Sequence, residues 1–145
     1  MVKPRGRGTL RMDFQQPKLI LIRGVSGAGK TTLAKMLGGE LFEADQYFEF
    51  ESGYHFNPSK LHQAHKTCLE NCEAAMFNFA QQIVVSNTFT TQKELRPYLE
   101  LAKEHDYSIT VLVVENYHGN KDIHNVPQEK RELQAQKLKD NLRLI

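Results

Sequence analysis

Apolar positions along this chain recur with two alternating periods. Residues 18–24, KLILIRG, form a short apolar run of strand length that ends in glycine. KTTLAKMLGGE follows, spacing Leu33, Met36 and Leu37 as one helix face does before Gly38 and Gly39 stop it. LFEAD, from residue 41, predicts a second short strand. A longer helix is predicted from Pro58, a residue suited to a first helical turn, to about Ala80. Its positions Leu61, Ala64, Cys68, Cys72, Ala75, Met76 and Phe79 recur at steps of three and four and mark one buried face. QIVVSNT predicts the next strand, and TQKE at 91–94 has the pattern of a capping box that opens a helix to about His105. Pro97 predicts a kink or a late start in that helix. YSITVLVVEN is a β-branched strand apolar enough to be buried on both faces, and Pro127 opens a polar terminal helix. Strands alternating with helices imply parallel β-α units, so the predicted architecture is a three-layer α/β sandwich.

Composition narrows the setting. At 145 residues, with 40% hydrophobic and 25% charged content, the chain predicts one globular domain with a real core. No apolar run approaches the roughly 20 residues needed to cross a bilayer, and MVKPRGRGTL has no signal-peptide core. Two cysteines without a secretory signal point to reduced thiols, and the expected location is the cytoplasm. Charge is uneven: Lys3, Arg5, Arg7 and Arg11 against Asp13 give residues 1–17 a net +3, and the chain total of +2 leaves −1 for residues 18–145. The expectation is a basic, disordered arm over 1–17 ahead of a single domain over 18–145. A duplex-binding face would be strongly basic, so extensive nucleic-acid contact is not indicated.

The candidate chemistry begins with GVSGAGKTT. Gly24, Gly29, Lys30 and Thr31 fill G-x-x-x-x-G-K-[ST] between a predicted strand and a predicted helix. The glycines let the backbone curl so that its N–H groups face an anion at a helix N-terminus. Gly24, Ser26, Gly27, Ala28, Gly29, Lys30, Thr31 and Thr32 are therefore expected to hold a nucleoside triphosphate. Lys30 can reach the β- and γ-phosphates, and the Thr31 hydroxyl can ligate magnesium. Motor ATPases and GTPases are disfavoured. The strand QIVVSNT ends in Ser86-Asn87 rather than an acid, and GNKDIH lacks the spacing of a guanine reader.

Asp45, in FEADQYF, follows the second strand and projects from the sheet edge where ligands of open α/β sheets bind. A carboxylate there can accept a proton from an attacking hydroxyl or orient magnesium, but it can equally cap a short helix. Tyr47, Phe48, Phe50, Tyr54 and Phe56 crowd the next stretch, and either stack on a base or cover the core. His62, His65, Cys68 and Cys72 are too spread along one helix to share one tetrahedral ion, and the two cysteines are expected to be buried thiols.

Together GVSGAGKTTLAKML, FEADQYFE, GYHFNPSKLHQAH, VVSNTFTTQKELRPYLELAKEHDYSITV and HNVP resemble the small P-loop kinases related to phage polynucleotide 5′-kinase. The branch is that of AAA-like ATP-binding proteins, which includes the kinase-like domain of NEDD-binding proteins. The resemblance covers roughly residues 18–135. It implies a P-loop NTPase sandwich with a mostly parallel sheet, adenylate-kinase-like, with a shortened lid. It also implies ATP and Mg2+ as cofactors, Asp45 as general base and Thr31 with Asp45 at the metal. Asn87 and Thr88, His65, and Arg96-Pro97-Tyr98 fall on further family motifs. Three positions depart from the pattern: Ser86 or Asn87 stands where an acid is expected, Phe48 where some nucleic-acid kinases carry arginine, and the lid has Lys121 in place of arginines. Lys130 and Arg131 are alternative cations, with surface placement expected for both.

The expected activity is transfer of the γ-phosphate to a hydroxyl, with Lys30, Asp45 and Lys121 catalytic and His118 or His124 assisting from the lid. The acceptor is a polynucleotide 5′-hydroxyl, a nucleoside or a nucleotide, with no membrane and an unidentified protein partner at most. The competing reading is an ATP-binding interaction module that has lost transfer.

Overall fold

A computed structural model describes residues 15–115 and 126–142. Residues 1–14 of the arm expected over 1–17, and the lid residues His118, Lys121 and His124, lie outside the described residues. The packed body reaches upstream of residue 18. Pro17 is fully buried, its carbonyl accepts the Ser108 N–H at 2.9 Å, and Gln16 Nε2 donates to the Asp106 carbonyl at 3.2 Å.

The chain runs β1 (Lys18–Arg23), α1 (Lys30–Leu37), β2 (Glu40–Phe42), a 3-10 turn (Ala44–Phe48), the short strands β3 (Glu49–Phe50) and β4 (Gly53–Tyr54), a second 3-10 turn (Pro58–Lys60), α2 (Leu61–Phe77), β5 (Gln82–Ser86), α3 (Gln92–His105), β6 (Ser108–Val113) and α4 (Gln128–Asp140). Four strands form one parallel sheet in the order β2-β5-β1-β6, with Leu19 level with Ile83 on one side and Ile109 on the other. β3 and β4 form a separate antiparallel hairpin that the sequence pattern did not announce, because two-residue strands show no periodicity.

Alternation along β1 and β5 divides the core. Leu19, Leu21, Ile83 and Val85 face α2 and α3, meeting Cys68, Cys72, Met76, Leu95, Tyr98 and Ala102. Ile20, Ile22 and Val84 point the other way, onto Ala34 of α1. Helices on both faces of a parallel sheet make the three-layer α/β sandwich that the alternating pattern predicts.

Several local expectations are corrected. β6 is an edge strand among the described residues rather than one buried on both faces, and Ile109 and Val113 are about two-fifths exposed. Its apolar run encodes strand propensity but not position in the sheet. In α2, Ala64, Cys68, Cys72, Ala75 and Met76 are buried as the spacing predicts. Leu61 and Phe79 are exposed, the first at the helix start and the second beyond its end, with Phe79 at φ 60°. In α1 it is Ala34 that is buried, while Met36 is exposed. α3 starts on time, with Thr91 Oγ1 accepting the Glu94 N–H at 3.3 Å, and continues through Pro97. Cys68 and Cys72 are buried free thiols, as expected. Burial pushes the Cys72 thiol up to about 12 and raises Cys68 as well. Among the described residues no helix is long and apolar enough to cross a membrane.

Candidate functional site

β1 ends at Arg23, and the next six residues, Gly24 to Gly29, turn back into α1. Gly24 is required by close approach: a Cβ there would sit 2.6 Å from the Val114 carbonyl oxygen, one residue past β6. Gly27 and Gly29 have φ of 81° and 102°, a left-handed backbone that residues with a Cβ rarely adopt. Gly29 is the N-cap of α1 and offers no side-chain cap, so the helix start presents backbone N–H groups rather than a filled end. Lys30 folds back over the loop, its Nζ donating to the Val25 carbonyl at 2.9 Å.

Opposite the loop stands the segment after β2. The Ala44 N–H donates to Asn87 Oδ1 at 2.8 Å, and Asn87 Nδ2 reaches Cys68 Sγ at 3.7 Å. Both ends of the Asn87 amide are thus engaged in fixing this segment to β5 and α2. Asp45 follows, in the first turn of the 3-10 segment, with Tyr54 Oη donating to its Oδ1 at 3.1 Å. The hairpin β3–β4 delivers that tyrosine. Asp45 is therefore held by a side chain nine residues away, a partner that spacing alone did not suggest. Glu43, one residue beyond β2, accepts a 2.6 Å hydrogen bond from Thr31 Oγ1. Sequence reasoning passed over Glu43; its one signal was an acid two residues before Asp45.

The five aromatics divide by role. Phe48 is buried against Ala44 and Ala64, with Tyr47, Tyr54 and Phe56 edge-on to it at ring distances of 5.4, 6.2 and 5.1 Å. It is the centre of a small apolar core. Tyr54 and Phe56 line a cavity of about 780 Å³. Phe50 is exposed.

That cavity gathers Ser26 to Thr32 from the loop, with Glu43, Asp45, His65 and Asn87 from the facing wall. Arg96 and Pro97 are not part of its lining, and Tyr98 is buried in the core instead. Burial lowers the His65 pKa below its ordinary value, against the attraction of Glu94 and Asp45 and with a small further push from His62.

α4 closes the remaining side. Gln134 Oε1 accepts the Ser26 N–H at 3.0 Å, and Arg131 Nε donates to the Ser26 carbonyl at 3.1 Å. Lys130 lines the cavity and lies 5.9 Å from the Phe56 ring centroid. Lys130 is exposed as expected, but Arg131 is half-buried on the loop. At the far end of α4 the Asn141 carbonyl accepts from Arg23 Nη2 at 2.7 Å, while Arg23 Nε donates to the Phe89 carbonyl at 3.0 Å. Arg23 is fully buried with Nη1 unpartnered, and burial lowers its pKa despite Glu94.

A loop of this pattern at the carboxyl edge of a parallel sheet, flanked by helices on both faces, defines the P-loop kinase-like class. The chain belongs to an AAA-domain family whose profile matches residues 19–120. It is similar to human NEDD4-binding protein 2, with 27% identity over 124 residues, covering 77% of this chain and 7% of that much longer protein. Its fold resembles a chain of the Pnkp1/Rnl/Hen1 RNA repair complex, with a TM-score of 0.67, 16% identity, and coverage of 93% of this chain and 48% of the other. It also resembles a kinase-named protein from Chloroflexus aurantiacus, with a TM-score of 0.55, 18% identity, and coverage of 70% and 60%. These match the family resemblance carried by the sequence motifs.

Proposed function

We propose that the protein is an ATP- and magnesium-dependent phosphotransferase acting on a hydroxyl, either the 5′-hydroxyl of a polynucleotide or a hydroxyl of a nucleoside or nucleotide. The observation that carries this reading is one cavity with the phosphate loop on one wall and Asp45 on the other. The loop and first helical turn that line the cavity, Ser26 to Thr32, hold the phosphates at the start of α1, and Lys30 leaves the Val25 carbonyl to meet the β- and γ-phosphates. The Thr31 hydroxyl and the Asp45 carboxylate are hard oxygen donors on the same cavity, a donor set that fits magnesium. Bound there, magnesium would neutralise charge on the phosphates.

Asp45 accepts the proton of the acceptor hydroxyl as its oxygen bonds to the γ-phosphorus. The bond from that phosphorus to the β,γ-bridging oxygen breaks and ADP leaves. Tyr54 orients Asp45 through their hydrogen bond. Positive charge for the transferred group comes from Lys30, from Lys121 ahead of α4, and from Lys130 on the cavity wall. The likeness in fold to the RNA repair complex supports a polynucleotide acceptor, and Tyr54 and Phe56 offer ring faces for a base.

Asn87 favours one other reading, an ATP-binding interaction module, because an amide stands just past β5 where an acid is expected. Incubation with γ-labelled ATP, magnesium and a panel of 5′-hydroxyl RNA, 5′-hydroxyl DNA, nucleosides and nucleoside monophosphates separates the two. Transfer to one acceptor class, reduced about 10²- to 10⁴-fold by Asp45→Asn with ATP binding kept, is the expected result. Tight ATP binding without transfer to any acceptor would leave the module.

A further inference from the structure

β5 ends in Ser86, with Asn87 just past it and no acid at either place, yet a carboxylate stands beside the phosphate loop all the same. β2 pairs with β5 in parallel, with Phe42 level with Val85, so Glu43 continues the register beside Ser86. The side chain that β5 does not supply is supplied one strand over. Its delivery is well anchored. The Glu43 N–H donates to Gln46 Oε1 at 3.2 Å, the Gln46 N–H returns to the Glu43 carbonyl at 3.1 Å, and Gln46 Nε2 donates to the Leu41 carbonyl at 3.0 Å. On the other side Ala44 is tied to Asn87. Between these anchors the Glu43 side chain reaches the hydroxyl of Thr31, the loop residue whose oxygen faces a metal in this motif.

We infer that Glu43 makes the loop selective for metal-bound over metal-free nucleoside triphosphate. This rests on the proposed nucleotide binding. A carboxylate against Thr31 and on the cavity wall repels the charge of a bare triphosphate. Opposite a metal-bound triphosphate the same charge is attractive, whether Glu43 meets the ion directly or through one of the waters that magnesium retains. Thr31, Glu43 and Asp45 then form an all-oxygen wall, two of whose members come from the β2 edge rather than from β5. The ordinary alternative is that Glu43 only caps the 3-10 turn that begins at Ala44.

Glu43→Gln separates the two, since it keeps the shape and the hydrogen bond to Thr31 and removes only the charge. Calorimetric titration of the whole chain with ATP, once with excess magnesium and once with EDTA, gives a discrimination ratio for each protein. The ratio is expected to fall about tenfold in Glu43→Gln, chiefly through tighter binding of metal-free ATP. Glu43→Asp is expected to stay near wild type, because it keeps the charge. Glu43→Ala, which also removes the charge, serves if the Gln protein melts before the titration temperature. An unchanged ratio in a folded, ATP-binding Gln or Ala variant overturns the inference, as does equal loss in Asp and Gln, which would assign the effect to the cap. Failure of the wild-type chain to bind ATP in either condition would instead overturn the nucleotide reading itself.

Discussion

The two walls of the cavity are built on opposite plans. The loop wall is local: one strand, one turn and one helix within residues 18–37, shaped by glycine backbone and presenting N–H groups. The facing wall is assembled from distant pieces. Glu43 and Asp45 come from the segment after β2, Tyr54 from the hairpin, Asn87 from just past β5 and His65 from α2. A wall made of backbone tolerates changes in side-chain chemistry but not added volume. A wall made of side chains tolerates small changes of shape but depends on single polar groups.

That contrast can be broken at four points. The largest effect is expected at Lys30, the one charged side chain within the loop wall's motif. Lys30→Ala should weaken ATP binding about 10²-fold, because charge-assisted hydrogen bonds to phosphate are lost. A change under threefold by calorimetry would mean that backbone N–H groups alone hold the nucleotide. Next is Gly24→Ala, whose Cβ meets the Val114 carbonyl at 2.6 Å. It should cost about 1–3 kcal/mol, read as a lower melting temperature, and an unchanged melting curve would show that the loop wall absorbs volume after all.

On the facing wall the effects are smaller. Tyr54→Phe removes one hydrogen bond to Asp45 and should slow transfer by about two- to tenfold while leaving ATP affinity unchanged. A matching loss in ATP affinity would place Tyr54 on the nucleotide rather than on the acceptor side.

The smallest effect concerns pH. The His65 pKa is lowered from 6.5 in the folded chain, so below about pH 6.5 the unfolded chain takes up the proton first. Its contribution to stability is therefore complete above that value and declines as pH falls through the folded pKa. The melting temperature of His65→Asn should fall less than that of wild type between pH 7.5 and 5.5. Parallel curves would remove His65 as a titrating group.

Legibility in the sequence follows the same division. Lys18 to Gly38 could be read in order because strand, loop and helix each depend on neighbours within a few residues. Thr91 and the buried face of α2 were legible for the same reason. Asp45 was placed at the correct edge, but Tyr54 as its partner was not, since nothing in a nine-residue separation encodes a hairpin of two-residue strands. Glu43 was missed because its contact is with Thr31, twelve positions away across the sheet edge. Arg131 was expected on the surface because α4 is mostly polar, and the docking of α4 on Ser26 gives that guanidinium a use. The edge position of β6 among the described residues was unreadable because strand order is a property of the whole sheet.

Arg23 has a consequence for how the molecule would respond to mutation. Its guanidinium joins the root of the loop to the end of α4 through the carbonyl of residue 141, and every amino acid carries that acceptor. Side-chain scanning across 141 would therefore leave the bond intact and report the position as silent. Only shortening the chain ahead of it removes the partner, leaving a buried cation with one hydrogen bond fewer directly beneath the phosphate loop. A tie of this kind is written in the length of the polypeptide rather than in its letters.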